Sequence, residues 1–122
     1  MYFLNLSNHP SNEWESVQRE AAFQLGGPIV DWPFPEIDPM ASAMEVQQMC
    51  REEWKKIVEA HGKPRVALIQ GEFTFTFCMV SLLLGERIRC VAATTRRHVK
   101  QLEEGKEIRK FRFVRFRDYP QP

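Results

Sequence analysis

VALIQGEFTFTFCMVSLLLGERIRCVAATTRR, running from Val66 to Arg97, decides how the rest of the chain is read. Val66-Ala67-Leu68-Ile69 is a short continuous apolar run, the pattern of a strand covered on both faces. The run stops at Gln70-Gly71-Glu72. An apolar segment of helical length follows from Phe73 and ends at Gly85. A second apolar run, Ile88 to Ala93, reads as another buried strand and stops at Thr94-Thr95-Arg96-Arg97. Strand, polar turn, helix, strand, polar turn is a βαβ unit. In open parallel sheets the carboxyl ends of the strands border one crevice, and ligands bind there.

Working outward toward the N-terminus, Tyr2 to Leu6 is a short apolar strand interrupted only by Asn5, and it stops at the polar turn Ser7-Asn8-His9-Pro10. Ser11 or Asn12 is then expected to cap a helix, and Asn12 followed by Glu15 has the capping-box pattern. Trp14, Val17, Ala21 and Leu25 then share one helical face before Gly26-Gly27-Pro28. Ile29-Val30 begins a second strand. Pro33, Pro35 and Pro39 make residues 32–39 an extended loop that carries Trp32 and Phe34. Ser42 and Glu45 form another capping-box signature. The helix behind it puts Val46, Met49, Cys50, Trp54, Ile57 and Val58 on one face and ends at His61-Gly62.

Beyond Arg97, the segments His98 to Glu103 and Glu107 to Arg117 flank Glu104-Gly105-Lys106, which predicts a β-hairpin over about 97–118. The alternation of the second arm slips at Phe113-Val114, as a β-bulge would make it. The tail from Tyr119 is expected to fray. The order βαβαβαβ plus a hairpin predicts an α/β fold in a single domain over 1–122. Its form is a small Rossmann-like parallel sheet with helices on both faces, right-handed crossovers and a C-terminal hairpin. The first, third and fourth strands would then set Ser7-Asn8-His9, Gln70-Gly71-Glu72 and Thr94-Thr95-Arg96-Arg97 along one rim.

The 122 residues suffice for one core and not for two. With a formal net charge of +1, the molecule as a whole has no polyanion-binding field, so no long nucleic acid is expected as a partner. The bases gather late, at Arg96, Arg97, Lys100, Lys106, Arg109, Lys110, Arg112, Arg115 and Arg117, against Glu103, Glu104 and Glu107. Such an edge suits a small anionic ligand, or is simply a solvated surface. Cys50, Cys78 and Cys90 are odd in number and embedded in apolar runs, which reads as buried thiols in a reducing cytoplasm. The opening Met-Tyr-Phe-Leu-Asn-Leu lacks a basic n-region and reaches a polar turn at once, so neither a signal peptide nor a membrane span is expected.

The rim carries chemistry of three kinds. A helix entered through Gly71, with Thr74 and Thr76 in its first turn, offers N–H groups and hydroxyls to a phosphate; alternatively the threonines merely sit in a tightly packed helix. Thr94 and Thr95 add hydroxyls, and Arg96 or Arg97 adds a guanidinium able to fork onto phosphate. His9 can move a proton near neutral pH or serve as a structural turn residue. Glu72 is a second proton carrier, or a first-turn carboxylate favoured by the helix dipole. GxxxxGK[ST] and GxGxxG are absent, as are HxH, HExxH, DxD, CxxC and GxSxG, so no metal, cofactor or covalent nucleophile is expected.

Asn5-Leu6-Ser7-Asn8-His9-Pro10, Gln70-Gly71-Glu72-Phe73-Thr74-Phe75-Thr76 and Ala93-Thr94-Thr95-Arg96-Arg97, with the closing Phe111 to Tyr119, resemble the small standalone CRISPR-associated proteins of the CARF-like, Rossmann-type group. Those accompany type III systems and bind, or bind and cleave, cyclic oligoadenylate messengers. The resemblance implies a cytoplasmic homodimer with the ring, cyclic tetra-adenylate in the first instance, lying across the two-fold axis. It implies metal-independent cleavage in which a ribose 2′-OH attacks the adjacent phosphate. Gly71, Thr74 and Arg97 would hold the phosphate, Ser7 and Asn8 the ribose or phosphate, and His9 would transfer the proton, with Gln70, Thr76, Thr94 and Thr95 completing the ligand shell. The group usually carries an acidic residue where this chain has Arg96, so its arginine role passes to Arg97 alone. Two rivals stand beside the enzyme: a non-catalytic sensor or sponge for the same messenger, and a protein–protein interaction domain using Trp32, Phe34 and the hairpin.

Overall fold

The apolar runs become the middle of one five-stranded sheet. The computed structural model describes the backbone of residues 1–122 and every side chain but that of Arg109. In chain order the elements are β1 (Phe3–Ser7), α1 (Ser16–Gly26), β2 (Ile29–Pro33), α2 (Ala43–His61), β3 (Val66–Gln70), α3 (Phe73–Gly85), β4 (Arg89–Gln101) and β5 (Glu107–Asp118). Single 3-10 turns lie at Ser11–Glu13 and Glu103–Gly105. The strand order is β2-β1-β3-β4-β5. The first four strands pair in parallel and β5 returns antiparallel to β4. This is a small Rossmann-like α/β fold, doubly wound, with its switch point between β1 and β3.

Strand alternation divides the core into two layers. Tyr2, Leu4 and Leu6 pack with Val46, Cys50, Trp54 and Ile57 of α2 and with Phe75, Met79 and Leu83 of α3. Phe3, Val66, Leu68 and Val91 face the other way, onto Trp14, Ala22 and Phe116 beside α1. The expected α2 start is present in full: Ser42 Oγ accepts from Glu45 N–H, and the Glu45 carboxylate accepts from Ser42 N–H. Burial pushes the Cys50 and Cys90 thiols up to about 12, whereas Cys78 is half-buried. Among the described residues no helix is long and apolar enough to cross a membrane.

Several local expectations are corrected. Asn12 and Glu15 do not form a capping box. Ser11 donates its N–H and its hydroxyl to the Asp31 carboxylate of β2, at 3.1 and 2.8 Å. This anchor holds residues 11–13 in a 3-10 turn, and α1 begins only at Ser16, with no side-chain cap from Glu15. The α1 face shifts accordingly, burying Ala22 and Gly26 and leaving Val17 57% exposed. β2 runs on through Pro33, paired to Ser7; as an edge strand it tolerates the missing N–H.

Thr94 to Arg97 is not a strand-end turn. β5 takes up the edge of β4 from Val91 outward, so hydrogen bonding continues and β4 extends to Gln101. The register shift pairs Thr94 with Arg115 and Thr95 with Phe113, which leaves Val114 as the extra residue of the expected bulge. Nor does the tail fray at Tyr119. Its N–H donates to Cys90 C=O at 2.9 Å and its hydroxyl to Ile69 C=O at 2.7 Å.

Gly71 owes its identity to a packing contact. A Cβ there would lie 2.4 Å from Phe34 Cε2, and the Phe34 ring is held against Phe75 with centroids 5.1 Å apart. Gly71→Ala should therefore destabilise the fold by about 1–3 kcal/mol in chemical denaturation. Phe34→Leu in the same background should recover part of that loss; a Gly71→Ala variant as stable as the parent would contradict the contact.

Candidate functional site

Among the described residues Asn5 is the one buried polar residue of the core, 2% exposed, in β1 between β2 and β3. A carboxamide there has to be satisfied by protein, because each unmade bond of a buried polar group costs about 1–3 kcal/mol. Its Nδ2 donates to His9 C=O at 2.9 Å and to Asp31 Oδ1 at 2.8 Å, and its Oδ1 accepts from the Ser7 hydroxyl at 2.7 Å. His9 N–H donates in turn to Ser7 Oγ, and Trp14 Nε1 donates to His9 C=O at 3.1 Å. The Ser7–Pro10 turn is thus folded back over the strand that precedes it. This fixes where the exposed Asn8 and His9 side chains start from.

Next to this turn the sheet opens. β3 and β4 pair only from Val66 to Leu68; beyond Val91, β4 leaves β3 and follows β5. The Gln70 side chain closes the split, its Oε1 accepting from Ala93 N–H at 2.8 Å. Its Nε2 has no hydrogen-bond partner among the described residues. The wedge left open is a hollow of about 630 Å³ on the α1 side, at the carboxyl ends of β1 and β3 and beside the middle of β4, within the size range of small-ligand sites. Leu68 and Ala93 form its floor, and Trp14, Phe113 and Phe111 its walls. Ser7, Asn8, His9, Gln70, Gly71 and Thr95 edge it, with Glu13, Glu15 and Gln18 along the start of α1. Phe113 is steadied by the Phe116 ring at 4.9 Å, while Phe111 is 67% exposed.

Among the described residues no Lys or Arg lines the hollow. Arg112 reaches across from the hairpin to Glu15, at 3.1 Å, and closes one side. Arg97 stands two residues beyond Thr95 on the same strand face, opposite Phe111, and is exposed. Chemically this is an aromatic slot with amide and hydroxyl edges and a cation outside its mouth. It suits a flat heterocycle whose charged substituent remains near solvent. Among the described residues no three His, Cys, Asp or Glu side chains gather as a metal site would need.

The residues anticipated from sequence therefore divide. Ser7, Asn8, His9, Gln70, Gly71 and Thr95 come together at the hollow, and Arg97 flanks it. Glu72, Thr74, Thr76, Thr94 and Arg96 do not line it. Glu72 caps α3, its carboxylate accepting from Phe75 N–H at 2.8 Å and from the Thr74 hydroxyl. The Phe75 N–H first, and the Thr74 hydroxyl next, hold its carboxyl below the usual range. The α3 N-terminus is thus already occupied by an anion, and a phosphate there would meet that charge. Thr76 Oγ1 is buried without a partner inside α3. Thr94 Oγ1 donates to Arg115 C=O and accepts from Arg115 N–H, stitching the bulge.

Trp32 and Phe34 do not wall the hollow. Both pack on the α2–α3 core, with Trp32 Nε1 donating to Glu53 at 2.9 Å. The sequence reading missed Asn5, Trp14, Phe111 and Phe113 as site-builders. A lone polar residue inside an apolar strand was the available signal for Asn5, and aromatic alternation along the second hairpin arm the signal for Phe111 and Phe113.

No solved structure matches the chain. A relative from Methanocaldococcus jannaschii, "Uncharacterized protein MJ1673", is 39% identical over 69 residues, which are 53% of this chain and 54% of that protein. The matched stretch thus spans about half the length of this curated relative. The family described as "Uncharacterized protein MJ1673 family" matches residues 1–117. With nearly its whole length covered, the chain belongs to the MJ1673 family.

Proposed function

We propose that the protein is a metal-independent ring nuclease that binds a cyclic oligoadenylate and cleaves it by 2′-OH attack, switching off type III CRISPR signalling. The observation that carries this proposal is the aromatic hollow at the β1/β3 switch point, with His9 on its rim and Arg97 outside its mouth. An adenine fits between Trp14 and the Phe111–Phe113 wall, since a purine is recognised by stacking plus a few edge hydrogen bonds. The unpartnered Gln70 amide and the Asn8 side chain supply such edges. A hollow of about 630 Å³ accommodates one nucleotide and not a whole ring. A symmetric ring would accordingly be shared by the matching hollows of two protomers across a two-fold axis.

Cleavage needs alignment, charge stabilisation and proton transfer. With the base held in the slot, its ribose and phosphate extend toward the mouth. The 2′-oxygen attacks the adjacent phosphorus while the 5′-oxygen leaves, giving a 2′,3′-cyclic phosphate and a 5′-hydroxyl. Holding that geometry in line is the main task of the pocket. The Arg97 guanidinium offsets charge growing on the phosphoryl oxygens. The His9 imidazole takes the 2′-OH proton or returns one to the leaving oxygen. Glu72 takes no part in this scheme, because its carboxylate caps α3.

One observation favours the sponge reading. His9 is the lone imidazole at the hollow, and the other proton carrier anticipated there is committed to capping. Incubation with labelled cyclic tetra-adenylate in EDTA separates the two. Linear products ending in a cyclic phosphate support the nuclease, an intact bound ring supports the sponge, and no binding removes both. For the nuclease, His9→Ala should lower the cleavage rate by about 10²-fold or more while the ring still binds. Asn5→Ala, which reaches no ligand, should weaken ring binding and cost about 1–3 kcal/mol of stability by freeing the Ser7–Pro10 turn; undiminished affinity in that variant would contradict the role given to Asn5.

A further inference from the structure

Beyond the hollow, the β4–β5 hairpin separates its charges by face. Alternation puts Arg96, His98 and Lys100 of β4 on one side. Cross-strand pairing sets Arg96 opposite Arg112, His98 opposite Lys110 and Lys100 opposite Ile108. His98, Lys100, Ile108, Lys110 and Arg112 together line a concavity of about 450 Å³, with no carboxylate among them. Directly opposed like charges destabilise a two-stranded ribbon. Only Arg112 is relieved, by Glu15; Arg96, His98, Lys100 and Lys110 have no ion-pair partner among the described residues. The face opposite carries Thr95, Phe111 and Phe113 toward the hollow, so the cationic side is a separate surface.

We propose that this cationic face of the hairpin binds the sugar–phosphate backbone of single-stranded nucleic acid. The net charge of +1 describes the whole molecule, and it conceals a ribbon that concentrates cations on one side. Successive basic side chains of β4 recur every second residue, roughly 6.6–6.8 Å apart, close to the repeat of phosphates along an extended strand. Arg96 and Arg112 bring forked donors that match phosphate oxygens. An acidic protein partner fits less well, because stable protein interfaces centre on apolar, aromatic-rich patches and this concavity offers only Ile108. The inference is independent of the ring-nuclease proposal, since it rests on Arg96, His98, Lys100 and Lys110 of the opposite face, which do not line the hollow.

The test is fluorescence anisotropy with the full chain and a short labelled oligouridylate, a strand lacking the adenines that the hollow would take. Oligodeoxythymidylate run in parallel distinguishes RNA from DNA as the source of the backbone. Saturable binding should weaken roughly twenty- to fifty-fold between 50 and 200 mM salt if about three or four phosphates are neutralised. The Lys100→Glu/Lys110→Glu double variant should lose about tenfold or more in affinity for the strand. Its melting temperature should hold or rise, because Lys100 and Lys110 are diagonal neighbours on a face that also carries Arg96 and Arg112, and reversing their charge lessens the crowding of like charge. Absence of binding, an unchanged affinity in that variant, or equal displacement of the strand by polyglutamate would each overturn the proposal.

Discussion

Burying one carboxamide shapes this end of the molecule. Asn5 sits in β1, an interior strand where an apolar residue would pack without penalty, and its polar atoms can be satisfied only by recruiting neighbours. Asp31 from the adjoining strand, the Ser7 hydroxyl and the His9 carbonyl do so. Satisfying the amide forces the chain after β1 to fold back. That brings Trp14 Nε1 onto the same His9 carbonyl and sets Trp14 as one wall of the hollow. Ser11 also binds Asp31, its N–H sharing Oδ1 with Asn5 and its hydroxyl taking Oδ2, and delays the start of α1. A single buried polar group therefore fixes the rim, one wall and the helix entry together.

The hollow itself comes from competition for β4. A strand can extend along one neighbour or peel away with another. Beyond Val91, β4 pairs only with β5, because the antiparallel hairpin offers a longer ladder than the short β3 can. The bulge at Val114 adds twist to the departing ribbon. Gln70 satisfies the first N–H stranded by the split, and Tyr119 ties the returning strand to Ile69 and Cys90. The space remaining between the strands is too wide for Leu68 and Ala93 to fill. The aromatic side chains of the hairpin border the gap instead of closing it.

The parts of this arrangement that rest on periodicity were legible in the sequence. Continuous apolar runs marked β1, β3 and the start of β4, helical spacing with Ser42 and Glu45 marked α2, and the slip at Phe113-Val114 marked the bulge. The anticipated α/β fold with its terminal hairpin rests on those. The features that escaped were decided by partners distant along the chain. Asp31 overrides the local capping pattern at Asn12, β5 converts the Thr94–Arg97 turn into strand, and Phe34 explains Gly71 through a steric contact. The phosphate cradle expected at α3 illustrates the same limit. Thr74 beside a helix N-terminus reads as an anion site until Glu72 is seen occupying it. His9 and Gln70 could be placed beside the hollow from sequence because polar residues after buried strands are positioned by topology alone.

The central claim is that nucleotides enter between the β1 turn and the aromatic side of the hairpin, not at the α3 N-terminus. Backbone amide NMR of labelled protein titrated with cyclic tetra-adenylate tests it most directly. The account predicts saturable shifts centred on Asn8, His9, Gly71, Thr95, Phe111 and Phe113. Shifts confined to Phe73 through Thr76, or no shifts at saturating ring concentration, would contradict it.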